Sequence, residues 1–420
     1  MLPTWIRRLT TRRNTKWTGC IDFGTAFSKV AMVAAKPSAD LRPDDIHPLA
    51  IGRGISLNPY LLPSVVFVTA DAVLFGGLAE RAALRAERLG RSAFVSPKQY
   101  LSTHDPEDLD GPLDPQIDPT QSYSPRQLIT LYLAYLIKRS EIAANEMKLT
   151  WPPKLRIARP AWDKSRAVWG ESVLRELVRH AFILVDRLDQ HIIADTGLKH
   201  KDAKVAFAAI PDTSEFPDEQ IFAVVGQGRA ATVTEATAVA AGSIRPKGRR
   251  VVVVADIGGG TSDFGAFMTG LPGRNVLAEI QGSSAVLRQA GDFLDMQLNR
   301  QLLNKAGLVP DDPAARGPAT AIRIRQRALK EVLFNEGRVS IEVGDVFVEL
   351  TAEEFLANKL VQDFAARLRD IFYIALDPAI SCAKSFTHRS HTYPLASGPS
   401  NSAQLYGLPA TTRSWRHDTA

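Results

Sequence analysis

Two short segments of the chain place an acid, glycine and a hydroxyl residue directly after an apolar run. The first is Asp22-Phe-Gly24-Thr25-Ala26, which follows Gly19-Cys-Ile21. The second is Asp256-Ile-Gly258-Gly259-Gly260-Thr261-Ser-Asp263, which follows Val251–Ala255. A glycine-rich turn between two strands can aim consecutive backbone N–H groups at one point. Glycine tolerates the conformations and the close approach that this requires. The run Gly258–Thr261 suits the β- and γ-phosphates of a nucleotide. Asp22 and Asp256 open the two turns, where carboxylates can hold Mg²⁺ through its water shell, since this ion dehydrates reluctantly. Neither segment is a Walker A loop, because neither contains Gly-Lys followed by Ser or Thr. A lone Asp-Xaa-Gly-Thr is most often a plain turn. The longer second segment is far more specific, and it lends weight to the first.

The surrounding pattern predicts the elements that hold these turns. Gly19–Ala34 reads as strand, tight turn, strand. Val251–Ala255 is a continuous apolar run, as expected for a strand buried on both faces, and the chain leaves its turn through Phe264–Met268. Ser64–Thr69 and Leu155–Ile157 read as strands, as do Lys204–Ile210 and Ala230–Val233. A helix should start at Ser124, with Pro125 in its first position and Gln127 completing a capping box. Leu128, Leu131, Tyr132, Tyr135 and Leu136 follow at helical spacing. Further helices are expected from Asp163, over Glu235–Gly242 and over Ala321–Phe334. Val339–Leu350 alternates as a hairpin turning near Gly344-Asp345, and Thr351 with Glu354 forms a second capping box. The helix after it carries Leu360, Val361, Phe364, Leu368, Ile371, Phe372 and Ala375 on one face, a pattern that stops at Pro378. The two Asp-Xaa-Gly turns echo one another, which predicts two related α/β halves.

Composition sets the limits. The 420 residues, 45% hydrophobic and 23% charged, exclude a collagen-like or mainly disordered chain. No apolar run reaches the roughly 18 residues of a membrane span. Two cysteines, Cys20 and Cys382, cannot build a disulfide framework, so a reducing cytoplasm is expected. The net charge of +6 invites a nucleic-acid partner. However, residues 1–17 carry +5 and residues 378–420 carry +3, so the body between them is slightly acidic. A nucleic-acid partner is therefore not expected. The basic N-terminal stretch lacks the apolar core of a secretory signal and reads as a solvated tail.

The pair IDFGTAFSKVAMV and VVVVADIGGGTSDFGAF resembles the two phosphate motifs of the actin-like ATPase superfamily. Other segments are similar, in order, to the DnaK-type heat-shock chaperones: Pro63-Ser64-Val-Val-Phe67, Phe94-Val-Ser-Pro-Lys98-Gln-Tyr100, the Ser124 helix start, Arg159-Pro-Ala-Trp162, Thr234-Glu235 through Gly242, and Gly291-Asp-Phe-Leu-Asp295. The resemblance spans about residues 18–377. It implies an α/β, ribonuclease H-like fold of two lobes with a nucleotide cleft between them. It implies ATP or ADP with Mg²⁺ as ligands. Asp22 and Asp256 would organise the metal through water, and Glu235 would sit beside its water shell. Gly24, Thr25, Ala26, Gly258, Gly259, Gly260 and Thr261 would contact phosphate. Lys98 would reach the γ-phosphate and the attacking water, and Gly291 and Lys330 would line the nucleotide. The implied activity is slow ATP hydrolysis driving lobe closure, a switch for a protein client or co-chaperone, without a membrane.

Departures from the family pattern matter too. The stretch between Trp162 and Glu235 is longer than the family's connection, by about 45 residues. Ala236 stands where the family has proline. The peptide-binding half is absent, and residues 378–420 lack the family's last Gly-Gly-Xaa-Ser turn. Either this tail is a divergent, poorly ordered extension or the reading frame shifts near residue 378; the abrupt change of composition favours the shift. The expected layout is a tail over 1–17, lobe I over 18–247, lobe II over 248–377, and the atypical end. Smaller subdomains are expected over 58–121 and 289–346, with a long connection over 163–229. The leading expectation is a chaperone-like ATPase domain. A polymerising actin-like cytoskeletal or division ATPase, a small-molecule kinase of the same fold and an inactive remnant are the alternatives.

Overall fold

The computed structural model describes residues 16–34, 45–56, 58–86, 90–152, 155–159, 164–211, 224–225, 229–230, 232–234, 236, 250–269, 278–309 and 312–389. The expected basic tail, apart from its last two residues, lies outside these residues, as do the lobe boundary at 247/248, Glu235 and the segment 390–420. Among the described residues the protein is mixed α/β, with several sheets and helices.

The first hairpin forms as its alternation requires. Strand β1 (Trp17–Asp22) pairs antiparallel with β2 (Phe27–Ala34), placing Ile21 opposite Val30 and Asp22 opposite Lys29. Ser28, Val30 and Met32 of β2 turn inward, while Lys29 is exposed. Strand β3 (Ile46–Pro48) continues the sheet beside β2, and β4 (Leu62–Pro63) also pairs with β2. A second sheet holds β5 (Val65–Val68), β6 (Ala72–Phe75), β7 (Phe94–Val95) and β9 (Leu198–Lys199) in the order β7-β5-β6-β9. Strand β8 (Leu155–Arg159) returns to lie parallel to β1, and β12 (Thr232–Thr234) lies parallel to β8. Val224–Val225 (β10) and Arg229–Ala230 (β11) form a short ladder of their own. Strands β13 (Arg250–Ile257), β14 (Ser262–Thr269) and β15 (Ala278–Glu279) are neighbours in that order. They are followed by β16 (Ala285–Leu287) and the hairpin of β17 (Arg338–Val343) with β18 (Val346–Thr351).

The helices are α1 (Gly76–Ala86), α2 (Pro97–Thr103), α3 (Pro125–Glu146), α4 (Lys164–Leu188), α5 (His200–Ala208), α6 (Gly291–Lys305), α7 (Arg316–Glu336), α8 (Ala352–Ala357) and α9 (Lys359–Arg389). Helix α3 starts as its sequence requires: Ser124 Oγ accepts the Gln127 N–H, and the Gln127 side chain accepts the Ser124 N–H. The same box forms between Thr351 and Glu354 at α8.

The chain separates into two compact units. One comprises Met1–Glu235, Ile257–Ser262 and Val286–Leu368; the other comprises Ala236–Asp256, Asp263–Ala285 and Arg369–Ala420. In the first unit, Ile21, Val30 and Met32 pack with Leu128, Leu131, Tyr132 and Leu136 of α3 and with Leu174, Leu177 and Leu184 of α4. A separate core in that unit joins Leu298 and Leu302 of α6, Ile322, Leu329 and Leu333 of α7, and the inward faces of β17 and β18. In the second unit, Val254 and Phe267 pack with Ala236.

Three expectations need correction. Lys204–Ile210 is not a strand; His200–Ala208 is a helix whose buried residues are Ala203 and Ala206, one helical turn apart. Val205, inside the expected strand, lies on the exposed side of this helix. Helix α9 does not stop at Pro378 but runs on to Arg389. Ala375 and Ala379 are both buried, so the packed face continues past the proline and offsets its missing N–H. Lastly, the apolar run of β13 is not buried on both faces: Val251–Val253 are half-buried and only Val254 is buried.

The loop before α3 is built on one carboxylate. Asp118, fully buried, accepts the N–H groups of Thr120, Ser122 and Tyr123 and the Thr120 hydroxyl, at 2.6–2.9 Å. The Tyr123 hydroxyl then meets His200 Nδ1 at 2.8 Å, while His200 Nε2 lies 3.0 Å from the Thr69 carbonyl. A carbonyl only accepts, so Nε2 carries the proton and Nδ1 accepts from Tyr123. Burial pushes the Tyr123 phenol up, which keeps it a donor. Asp118→Ala strands three backbone donors, so it should lower the unfolding free energy by about 3 kcal/mol. Urea unfolding of the full chain checks this; an unchanged midpoint would refute the anchoring role.

Candidate functional site

The first turn depends on glycine through close approach. A Cβ on Gly24 would lie 2.0 Å from the Phe27 carbonyl oxygen. Ser64 supports the turn from the side. Its hydroxyl donates to the Gly24 carbonyl at 2.8 Å, and its N–H donates to the Ala26 carbonyl at 3.0 Å. The Ser64 carbonyl accepts the Ser96 N–H at 3.0 Å, just ahead of α2. One serine thus connects the first turn to the helix that begins Pro97-Lys98. Lys98 is 3% exposed, in the first turn of that helix.

The second turn closes on itself through Gly258 N–H to Thr261 O at 2.9 Å. The start of α6 is seated on it: Gly291 N–H donates to Gly258 O at 3.1 Å, and Asp292 N–H to Gly259 O at 2.7 Å. The two turns touch. A Cβ on Gly260 would lie 2.7 Å from Thr25 Cγ2 and 3.1 Å from Gln99 Oε1, and one on Gly259 would lie 3.1 Å from Ala26 Cβ. Glycine lets the second turn lie this close to Thr25, Ala26 and the residue after Lys98 without displacing their side chains.

The charged residues have distinct settings. Asp22 Oδ1 is buried without a hydrogen-bond partner, while Oδ2 lies 3.6 Å from Lys29 Nζ. Asp256, near the end of β13, is half-buried and belongs to the second unit. Thr261 is half-buried as well. Lys330 of α7 donates to the Gly291 carbonyl at 3.1 Å and lies 2.7 Å from Asp295 Oδ1, an ion contact without hydrogen-bond alignment. It therefore braces the start of α6. Glu235 lies outside the described residues.

The structure thus brings together Gly24, Thr25, Ala26, Lys98, Gly258, Gly259, Gly260, Thr261 and Gly291 within one unit. Gln99 and Asp292 join them and were not singled out from the sequence. Their only signal was adjacency to Lys98 and Gly291.

The residues present fit a magnesium–phosphate group. A carboxylate oxygen buried without a donor calls for a cationic or water partner. The glycine turns bring the backbone of Gly259 and Gly260 up against Thr25, Ala26 and Gln99. Among the described residues no group of three or more His, Cys, Asp or Glu is placed to hold a metal ion. Mg²⁺ does not require one, because it commonly takes one or two carboxylates and fills its shell with water and phosphate oxygens.

A cavity of about 590 Å³ lies elsewhere in the first unit, lined by Tyr123, Arg126, His180, Phe207 and Ile210 among others. It shares no residue with the glycine turns. Arg126 is forked onto Asp110 at 2.7 and 3.0 Å, and burial pushes the His180 imidazole down. No protein-family model matches this chain, and no curated protein matches it.

Proposed function

We propose that the chain is an actin-like, DnaK-chaperone-like ATPase domain that binds Mg-ATP, hydrolyses it slowly and acts as a nucleotide-dependent switch for a protein partner. The observation that carries this reading is the close seating of the Gly258–Thr261 turn against Thr25, Ala26 and Gln99, where a Cβ on Gly260 would press on Thr25 Cγ2 and one on Gly259 would crowd Ala26. Bound Mg²⁺ supplies charge neutralisation at the transferred phosphoryl group. The chain's own residues supply position. Backbone N–H groups of Thr25, Ala26 and Gly259–Thr261 hold phosphate oxygens, while the Gly258 N–H closes the turn on Thr261 O. Asp22 and, in the other unit, Asp256 would each offer a carboxylate to metal-bound water. Lys98 offers its ammonium to the phosphate and the attacking water. Catalysis of this kind works by placement and electrostatics, without a covalent intermediate.

Wild-type turnover should therefore exceed that of Lys98→Ala, Thr261→Ala and Asp256→Ala by about tenfold or more, with circular dichroism confirming that each variant folds. Equal turnover in all four proteins would remove the assignment. Light scattering with and without ATP separates this reading from a polymerising ATPase, which would form filaments.

A further inference from the structure

Tyr132 of α3, Ser28 of β2 and Ser64 between β4 and β5 form a buried cluster of hydroxyls; their residues are 0%, 0% and 1% exposed. The Tyr132 hydroxyl lies 3.0 Å from Ser28 Oγ, 3.3 Å from Ser64 Oγ and 3.2 Å from the Pro63 carbonyl. Ser28 Oγ and Ser64 Oγ are 3.2 Å apart. The proton order follows from counting. Each hydroxyl has one proton, and Ser64 must spend its own on the Gly24 carbonyl, which can only accept. Ser28 is then the donor to Ser64, and Tyr132 donates to Ser28 or to Pro63 O. Burial pushes the Tyr132 phenol up, so the relay keeps its first proton across the physiological range.

We infer that Tyr132 is a positioning residue for the first glycine turn: through Ser28 and Ser64 it fixes the Gly24 carbonyl, and through the Ser64 backbone it sets the start of the helix that carries Lys98. The inference rests on reading Gly24–Ala26 as a phosphate-holding turn. Nothing in the sequence pattern required a hydroxyl at 132. Tyr132 occupies an apolar heptad position of α3, among Leu128, Leu131 and Leu136, where a phenylalanine would satisfy the packing alone. The hydroxyl is what the packing does not explain. It reaches out of the core to the loop that supports the turn, and a chain of hydrogen bonds in such a dry setting couples its members.

Two readouts test this on the full chain. The first is amide hydrogen exchange in the nucleotide-free protein at Ser64 and Ser96, whose N–H groups donate to Ala26 O and Ser64 O. The second is the Kd for Mg-ATP by calorimetry. Tyr132→Phe, which keeps the ring, should speed exchange at both amides and weaken Mg-ATP binding, each by about fivefold or more. Ser28→Ala should do the same, and the double variant should be no worse than the worse single, because both act along one relay. A Tyr132→Phe protein with a lower unfolding midpoint but wild-type exchange and wild-type Kd would overturn the inference. So would a double variant whose losses simply add. If the wild type binds no Mg-ATP, the functional reading falls, and the exchange measurement still decides the relay by itself.

Discussion

Gly24→Ala should lower ATP turnover by at least about a hundredfold and cost about 3 kcal/mol of stability. The added Cβ would stand 2.0 Å from the Phe27 carbonyl oxygen, well inside contact distance, and that oxygen belongs to the backbone of the same turn. No side-chain rotation can relieve the clash, so the turn itself has to open. Opening it moves Thr25 and Ala26 away from Gly259 and Gly260 and pulls the Gly24 carbonyl off Ser64. A displacement of about 1 Å in a positioning group is enough for a hundredfold loss. Denaturant unfolding measures the stability term, and steady-state turnover under saturating Mg-ATP measures the other. A variant with normal turnover would show that this turn does not hold phosphate.

Asp22→Asn should behave in the opposite way toward stability. Asp22 Oδ1 is buried with no hydrogen-bond partner, so the native fold gains nothing from its charge there. The other oxygen faces Lys29 at 3.6 Å in a pair that is 60% and 39% exposed, an arrangement that contributes little. Stability should therefore stay within about 0.5 kcal/mol of the wild type, or rise. Turnover should fall by about 10²- to 10³-fold, because a neutral amide orients metal-bound water far less well than a carboxylate. Retained turnover would exclude Asp22 from the site. A large loss of stability would mean that its carboxylate serves the fold.

The parts of this molecule that were legible in the sequence are those written in local chemistry. Ser124-Pro-Arg-Gln127 specifies a helix start whatever lies around it, and α3 begins there. Thr351 and Glu354 do the same for α8. The tight turns at Gly24 and Gly258–Gly260 were legible because glycine after an apolar strand marks a turn with close backbone approach, and both turns form. What was not legible depends on partners distant in the chain. Lys204–Ile210 reads as an apolar strand, yet Ala203 and Ala206 are the residues that find a buried surface, and their spacing is helical. Pro378 reads as a stop because the local cost of an interior proline is about 3 kcal/mol. The buried alanines on either side of it offset that cost only once their packing partners are in place. Tyr132 looked like one more core residue, and its hydroxyl gained meaning only when Ser28 and Ser64 were found beside it.

The central sheet carries a consequence for how the protein is made. Gly19 of β1 pairs with Leu155 of β8, and Ile157 of β8 pairs in turn with Thr232 of β12. On the ribosome, at roughly 5–20 residues per second, β1 waits about ten seconds for its parallel neighbour. During that interval the apolar edge of the β1–β2 hairpin is open to any passing strand. The nascent chain thus carries an unpaired strand edge throughout that interval, and slower synthesis between residues 34 and 155 should raise its aggregation rather than improve its yield.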